Sequence, residues 1–192
     1  MNQIVGDQYV WCRVFALLCA AAVVGCSDPP PEMALASISV AVGPGDAGAA
    51  CKLPATDWLE IKDGEYFVTN HDILDEQQVN IFCTVQETGP GLRVSANIAL
   101  LDGLTTVGGI AISGDLVEDG TGIYTDISAN FSRDDIGTFQ SRTCTLDFNA
   151  NPKMEAQPGR LFAMLHCPVL TSSELKETCV GVASINIQNC GQ

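Results

Sequence analysis

From Val79 to the C-terminus, apolar and polar residues alternate one for one. Val79, Ile81, Cys83 and Val85 interleave with Asn80, Thr84 and Gln86, and Phe82 breaks the polar set. Leu92, Val94, Ala96, Ile98 and Leu100 interleave with Arg93, Ser95 and Asn97. Ile123, Ile127, Ala129 and Phe131 interleave with Tyr124, Asp126, Ser128 and Asn130. Period two sustained over such lengths is the signature of strands with one buried face. Turn chemistry falls between the runs, at Gly89-Pro90-Gly91, Asp102-Gly103, Asp119-Gly120 and Asp135-Ile136-Gly137. Asp-Gly accepts the positive φ that tight hairpins need. The pattern predicts an antiparallel meander over 79–87, 92–101, 104–113, 121–132, 138–148, 159–167 and 180–189.

Ile38-Ser39-Val40-Ala41-Val42 alternates as well and is a candidate first strand. Trp58, Leu59 and Ile61, then Tyr66, Phe67 and Val68, flank Asp63-Gly64 and suggest a further hairpin. Asn70 to Gln78 is polar and reads as a loop. Thr171-Ser172-Ser173-Glu174 matches a capping box, which predicts a short helix through Thr178. The expected fold class is all-β: an antiparallel β-sandwich or small barrel of about seven to eight strands with one short connecting helix, stabilised by disulfides.

The N-terminal region is of another kind. Residues 14–25 are unbroken apolar residues, too short for a transmembrane helix of about 20 residues. They have the anatomy of a secretory signal, although Arg13 is the single basic side chain before them. Val23-Val24-Gly25-Cys26 resembles the lipobox of bacterial lipoprotein precursors. That resemblance implies removal of residues 1–25 as a signal peptide and acylation of Cys26. The lipid bilayer becomes a partner through that cysteine, and Ser27 after it favours the outer membrane, with the leaflet open. The resemblance divides the chain into a signal at 1–25, a lipidated and flexible Pro/Gly/Ala tether at 26–50, and one β domain at 51–192. Without lipid, the same segment would be a plain secretory signal.

Of nine cysteines, Cys12 and Cys19 leave with the signal and Cys26 takes the lipid. Cys51, Cys83, Cys144, Cys167, Cys179 and Cys190 remain, an even set that reads as three disulfides in an exported chain. A strand over 180–189 would hold Cys179 and Cys190 roughly 36 Å apart, which excludes that pair. The favoured pairs are Cys167 with Cys179 across the helix, Cys144 with Cys190, and Cys51 with Cys83. Cys144 with Cys167 is the main competitor. The Phe82-Cys83-Thr84-Val85, Thr143-Cys144 and Gly159-Arg160-Leu161-Phe162 segments, with Cys167, Cys179 and Cys190, resemble the small cysteine-rich lipoproteins of delta-type proteobacteria. That group implies exported β-structure and no established activity.

A net charge of −14, unchanged by loss of the signal, argues against nucleic-acid partners. The two histidines, His71 and His166, stand outside any nucleophile–base–acid pattern, and no zinc spacing or calcium ladder is present. His71 with Asp72, Asp75 and Glu76 forms a loop cluster, and Glu118-Asp119 and Asp134-Asp135 fall at turns. No catalytic residue, metal or cofactor is expected. The expectation is a membrane-anchored, non-enzymatic binding or envelope-interaction module whose partner is another envelope protein or a glycan. The alternatives are a carbohydrate-binding or glycan-processing sandwich, stacking through Trp58, Tyr66 and Tyr124, and a structural surface-coat lipoprotein acting by strand addition.

Overall fold

The structure, a computed structural model, describes residues 32–45, 51–53, 56–62, 66–117 and 122–191. Cys26 and the signal segment lie outside the described residues, as do Asp63-Gly64 and Glu118-Asp119-Gly120.

Alternation becomes a single nearly closed, barrel-like antiparallel sheet. Its strands are β1 (Leu35–Gly43), β2 (Thr56–Ile61), β3 (Val68–Thr69), β4 (Ile73–Leu74), β5 (Gln77–Thr88), β6 (Gly91–Asp102), β7 (Thr105–Val117), β8 (Ile123–Arg133), β9 (Gly137–Asp147), β10 (Glu155–Gln157), β11 (Arg160–Ser172) and β12 (Glu177–Gln188). The order is β2-β1-β12-β11-β9-β8-β7-β6-β5-β4, with β10 beside β11 and β3 beside β1. The expected seven to eight strands are therefore twelve. The additions are β2, β3, β4 and β10, the last three only two or three residues long and too brief to show a period; the hairpin expected around Asp63-Gly64 is corrected, since among the described residues β2 and β3 each pair with β1 and not with each other.

Inward positions bury a continuous core. Ile98, Ile110, Phe131, Phe139, Leu146, Leu161, Leu165 and Ile185 are among the side chains at or below 2 % exposure. Burying each such side chain contributes about 1.5–3 kcal/mol. Gly108 faces inward with Leu59 Cδ1 3.1 Å from where a Cβ would stand, so β2 packs close to the start of β7.

The expected helix is a hairpin instead. β11 and β12 continue to Ser172 and Glu177, joined by a turn at 173–176. The expected cap of Thr171 on Glu174 is not what forms: Thr171 Oγ1 donates to Gln140 O at 3.4 Å, and the turn's own contact is Leu175 N–H to Ser172 Oγ at 3.2 Å. It closes a turn in which Lys176 adopts φ 55°, rather than starting a helix. Two helical turns cannot repay nucleation when strong strand patterns pull on both sides. β11 also runs past its expected end through a register shift between Cys167 and Leu170, where Pro168 has no N–H for the ladder. The expected tether 26–50 is likewise interrupted, because β1 lies between β12 and β2 with Ile38, Val40 and Val42 in the core.

The six cysteines pair as Cys51–Cys179, Cys83–Cys190 and Cys144–Cys167. The favoured scheme is corrected, and its competitor Cys144–Cys167 stands. The cause is the missing helix. With β11 and β12 a hairpin, Cys167 opposes Gly181 and Cys179 opposes Leu170, so the two are out of register. Cys167 instead meets Cys144 of the neighbouring β9, both wholly buried.

β5 would leave an open edge on the side away from β6, and irregular chain covers it. Val79 N–H donates to Asp72 O and Val79 O accepts from His71 N–H, both at 2.8 Å. Ile81 N–H donates to Asn70 Oδ1 at 2.8 Å. Further along, Gly191 N–H donates to Cys83 O, Val85 N–H to Gly191 O, and Gly159 N–H to Val85 O. Cys83–Cys190 staples this seam. The Asp72 carboxylate accepts from Thr69 N–H at 2.6 Å, which holds it below its usual pKa and fixes the loop. Asn70 to Gln78 is therefore structured, because it supplies the bonds that β5 lacks.

The seam makes the Cys83–Cys190 bridge costly to lose. It closes a separation of 107 residues, for which chain entropy gives about 4–5 kcal/mol. The double variant Cys83→Ser/Cys190→Ser should lose about 3–5 kcal/mol in denaturant unfolding. A loss below about 1 kcal/mol would show that the staple is not needed there.

Candidate functional site

Antiparallel register sets the outward side chains of β5–β9 in transverse rows. Phe82, Asn97, Ala111, Asn130 and Gln140 are successive partners in one row. Asn80, Ala99, Gly109, Ser132 and Thr138 form the next. Small residues at the middle of both rows leave a groove of about 590 Å³, with amides and Phe82 among its lining residues. Gly109 sets its floor: a Cβ there would stand 3.0 Å from Ile98 O and 3.3 Å from the Ala99 methyl carbon. A second depression of about 380 Å³ shares Asn97, Ala111 and Asn130 and extends along Ser95, Ser113 and Ser128.

The groove reaches the end of the sheet where β8 turns into β9 and β11 into β12, so Arg133, Asp134 and Glu174 also line it. Arg133 is engaged. Its Nε and Nη2 donate to the two carboxylate oxygens of Asp135 at 2.8 and 2.7 Å, and its Nη1 donates to Trp58 O at 3.3 Å. Its guanidinium lies 5.5 Å from the Trp58 ring centroid. The ion pair raises the Arg133 pKa and holds the Asp135 carboxyl below its usual value. Asp134 and Glu174 leave this end of the groove acidic.

Asn80 Oδ1 is buried within the groove wall and has no hydrogen-bond partner. A buried acceptor left in that state costs about 1–3 kcal/mol. Phe82 is 65 % exposed, an unusual position for a large aromatic in a strand whose neighbours Val79, Ile81 and Val85 are fully packed. Both groups have unused interaction capacity, and both line the same groove.

The residues singled out in the sequence are mostly elsewhere. His71 is exposed in the turn after β3 at φ 77°, while His166 is exposed on β11. Asp75 and Glu76 form the β4–β5 turn, and Asp135 is taken up by Arg133. Cys51, Glu177 and Cys179 place ligand-type atoms within 4.8 Å of one another. The two sulfurs are bonded to each other, however, and Glu177 Oε2 accepts from Lys52 N–H at 3.2 Å, which makes the trio a structural knot. The proposed stacking residues do not form a platform. Trp58 is buried edge-on against Phe139 at 5.6 Å, Tyr124 packs edge-on against Phe148 at 5.7 Å, and Tyr66 stands apart at 75 % exposure. Phe82, Asn80, Asn97 and Asn130 carry the site, and their sequence signal was the break that Phe82 makes in the alternation of β5.

Comparison with protein-family models, with curated proteins and with solved structures finds no match.

A structural role and a binding role for aromatic residues separate by stability. Phe82→Ala should change unfolding free energy by no more than about 0.5 kcal/mol, whereas Phe131→Ala, at a wholly buried site, should cost about 3–5 kcal/mol. A large loss for Phe82→Ala would make it a packing residue.

Proposed function

We propose that this chain is a lipid-anchored envelope protein whose β domain is a non-enzymatic binding module, with the outer groove of β5–β9 as its binding surface. The observation that carries the proposal is the coincidence of an exposed aromatic, Phe82, and the side-chain amides of Asn97 and Asn130 in one groove. A concave surface that combines an apolar ring with a few convergent polar groups is the usual makeup of a binding site.

The barrel interior is filled by packed side chains, so recognition moves to the outside. Among the described residues, the two histidines stand on separate elements and neither lines the groove. The strand-addition route of a surface-coat protein is disfavoured at β5, whose edge groups at Val79, Ile81, Cys83 and Val85 are already engaged.

The anchor remains a proposal from Val23-Val24-Gly25-Cys26. Each buried methylene contributes about 0.8 kcal/mol, and two or more acyl chains make attachment lasting. Eight residues separate Cys26 from Leu35. β1 starts at the end of the sheet opposite the turns that carry Asp134 and Glu174, so the acidic end of the groove lies away from the strand where the chain enters.

Intact mass of the protein extracted from its native membrane should match residues 26–192 plus acyl chains, gaining two hydrogens per disulfide on reduction. A mass without lipid, or one retaining residues 1–25, would overturn the anchor. Binding is read separately. Oxidised protein freed of its acyl chains should co-sediment with delipidated cell-envelope material, and Ala111→Tyr, which fills the groove from an outward position, should abolish this. Equal sedimentation of the variant would place any binding elsewhere.

A further inference from the structure

We propose that the groove ligand is a neutral glycan chain, gripped by the side-chain amides of Asn80, Asn97 and Asn130 and stacked on Phe82. The inference rests on the groove being the binding surface and adds the chemical class of what it holds.

The chemistry of the lining makes the selection. Asn97 and Asn130 lie in the row that starts at Phe82, with Ala111 between them. Adjacent strands are spaced by about 4.8 Å, so Phe82 and Gln140, four strands apart along this row, span roughly 19 Å. A carboxamide offers both donors and an acceptor. Amides set at this interval suit a ligand that presents alternating hydroxyl donors and acceptors along its length. Serine and threonine hydroxyls at Ser95, Ser113, Ser128 and Thr138 continue the same kind of surface.

An aromatic ring beside amides is the second element. The C–H faces of a pyranose are apolar while its rim is polar, so a sugar satisfies Phe82 and the asparagines together. Asn97 and Asn130, which line the groove in the same row as Phe82, offer the donors and acceptors for the sugar hydroxyls.

Charge narrows the class. Among the described residues the one cation lining this groove, Arg133, has its guanidinium committed to Asp135 and Trp58, while Asp134 and Glu174 stand at the same end; Arg142 lines only the second depression. With a chain charge of −14, a polyanionic saccharide or phosphate polymer would be repelled. A neutral chain incurs no such penalty. A cationic peptide would fit the acidic end, but three asparagines and small uncharged residues fill the rest of the groove, where its charges would find no counterpart.

The test is a titration of the exported, fully oxidised protein with chitotetraose, cellotetraose and a lysine-rich peptide, followed by NMR through backbone and side-chain amide signals. The expected result is saturable shifts of the Asn80, Asn97 and Asn130 side-chain amides with at least one of the two oligosaccharides. Phe82→Ala should weaken that binding about tenfold and leave the spectrum otherwise folded. Saturable shifts in the groove with the peptide alone would overturn the glycan class while keeping the groove as the binding surface. Shifts confined to other faces would overturn both, as would no shift with any of the three probes.

Discussion

The edge of β5 is the constraint on which the molecule depends. A twelve-residue strand with one unpaired side would template pairing with any other extended chain. Here the exposed donors and acceptors are taken by short β4, by the 70–72 turn with the Asn70 side-chain oxygen, by Gly191, and by Gly159 at the β10–β11 turn. Cys83–Cys190 holds the tail where those bonds can form. The sheet becomes barrel-like because distant segments of the sequence converge on this one strand.

Closure decides where function can reside. A barrel this full of branched and aromatic side chains has a packed interior, so its usable surface is outward. Outward positions on most strands are charged or mixed, as at Arg93–Asp115, where a bidentate ion pair spans β6 and β7 and holds the Asp115 carboxyl below its usual pKa. In the two rows that run from Phe82 and Asn80 across β5–β9, the outward positions change character. Charges give way to amides, hydroxyls, alanine and glycine, and the rows subside into a groove with Phe82 at one side. Trp58 beneath Arg133, edge-on to Phe139, braces the acidic end of that groove from β2.

The long strands were legible because a half-buried strand writes its period into the residues. β6 is expected over 92–101 and runs from Gly91 to Asp102; β5 is expected over 79–87 and runs from Gln77 to Thr88. What was not legible depends on tertiary neighbours. The Thr171–Glu174 capping pattern falls at the β11–β12 turn, where Thr171 bonds Gln140 O of β9 and the hairpin overrides the helix. Disulfide pairing could not follow from spacing, since it depends on which strands lie side by side: Cys144 and Cys167 are joined because β9 and β11 are neighbours. The groove was visible only as an irregularity, Phe82 at a position where polarity was due. Its amide partners come from strands β6 and β8, and only the register brings them beside it.

Amide hydrogen exchange at Val79, Ile81 and Val85 tests the closure most directly. These N–H groups point away from β6, and in a sheet with a free edge they would exchange with solvent on the timescale of frayed loops. A closed seam predicts protection comparable to that of strand-interior amides such as Ile98, with the protection of Val85 lost when Cys83–Cys190 is reduced. Rapid exchange at all three in the oxidised protein would mean that β5 is an open edge and that the barrel is not closed.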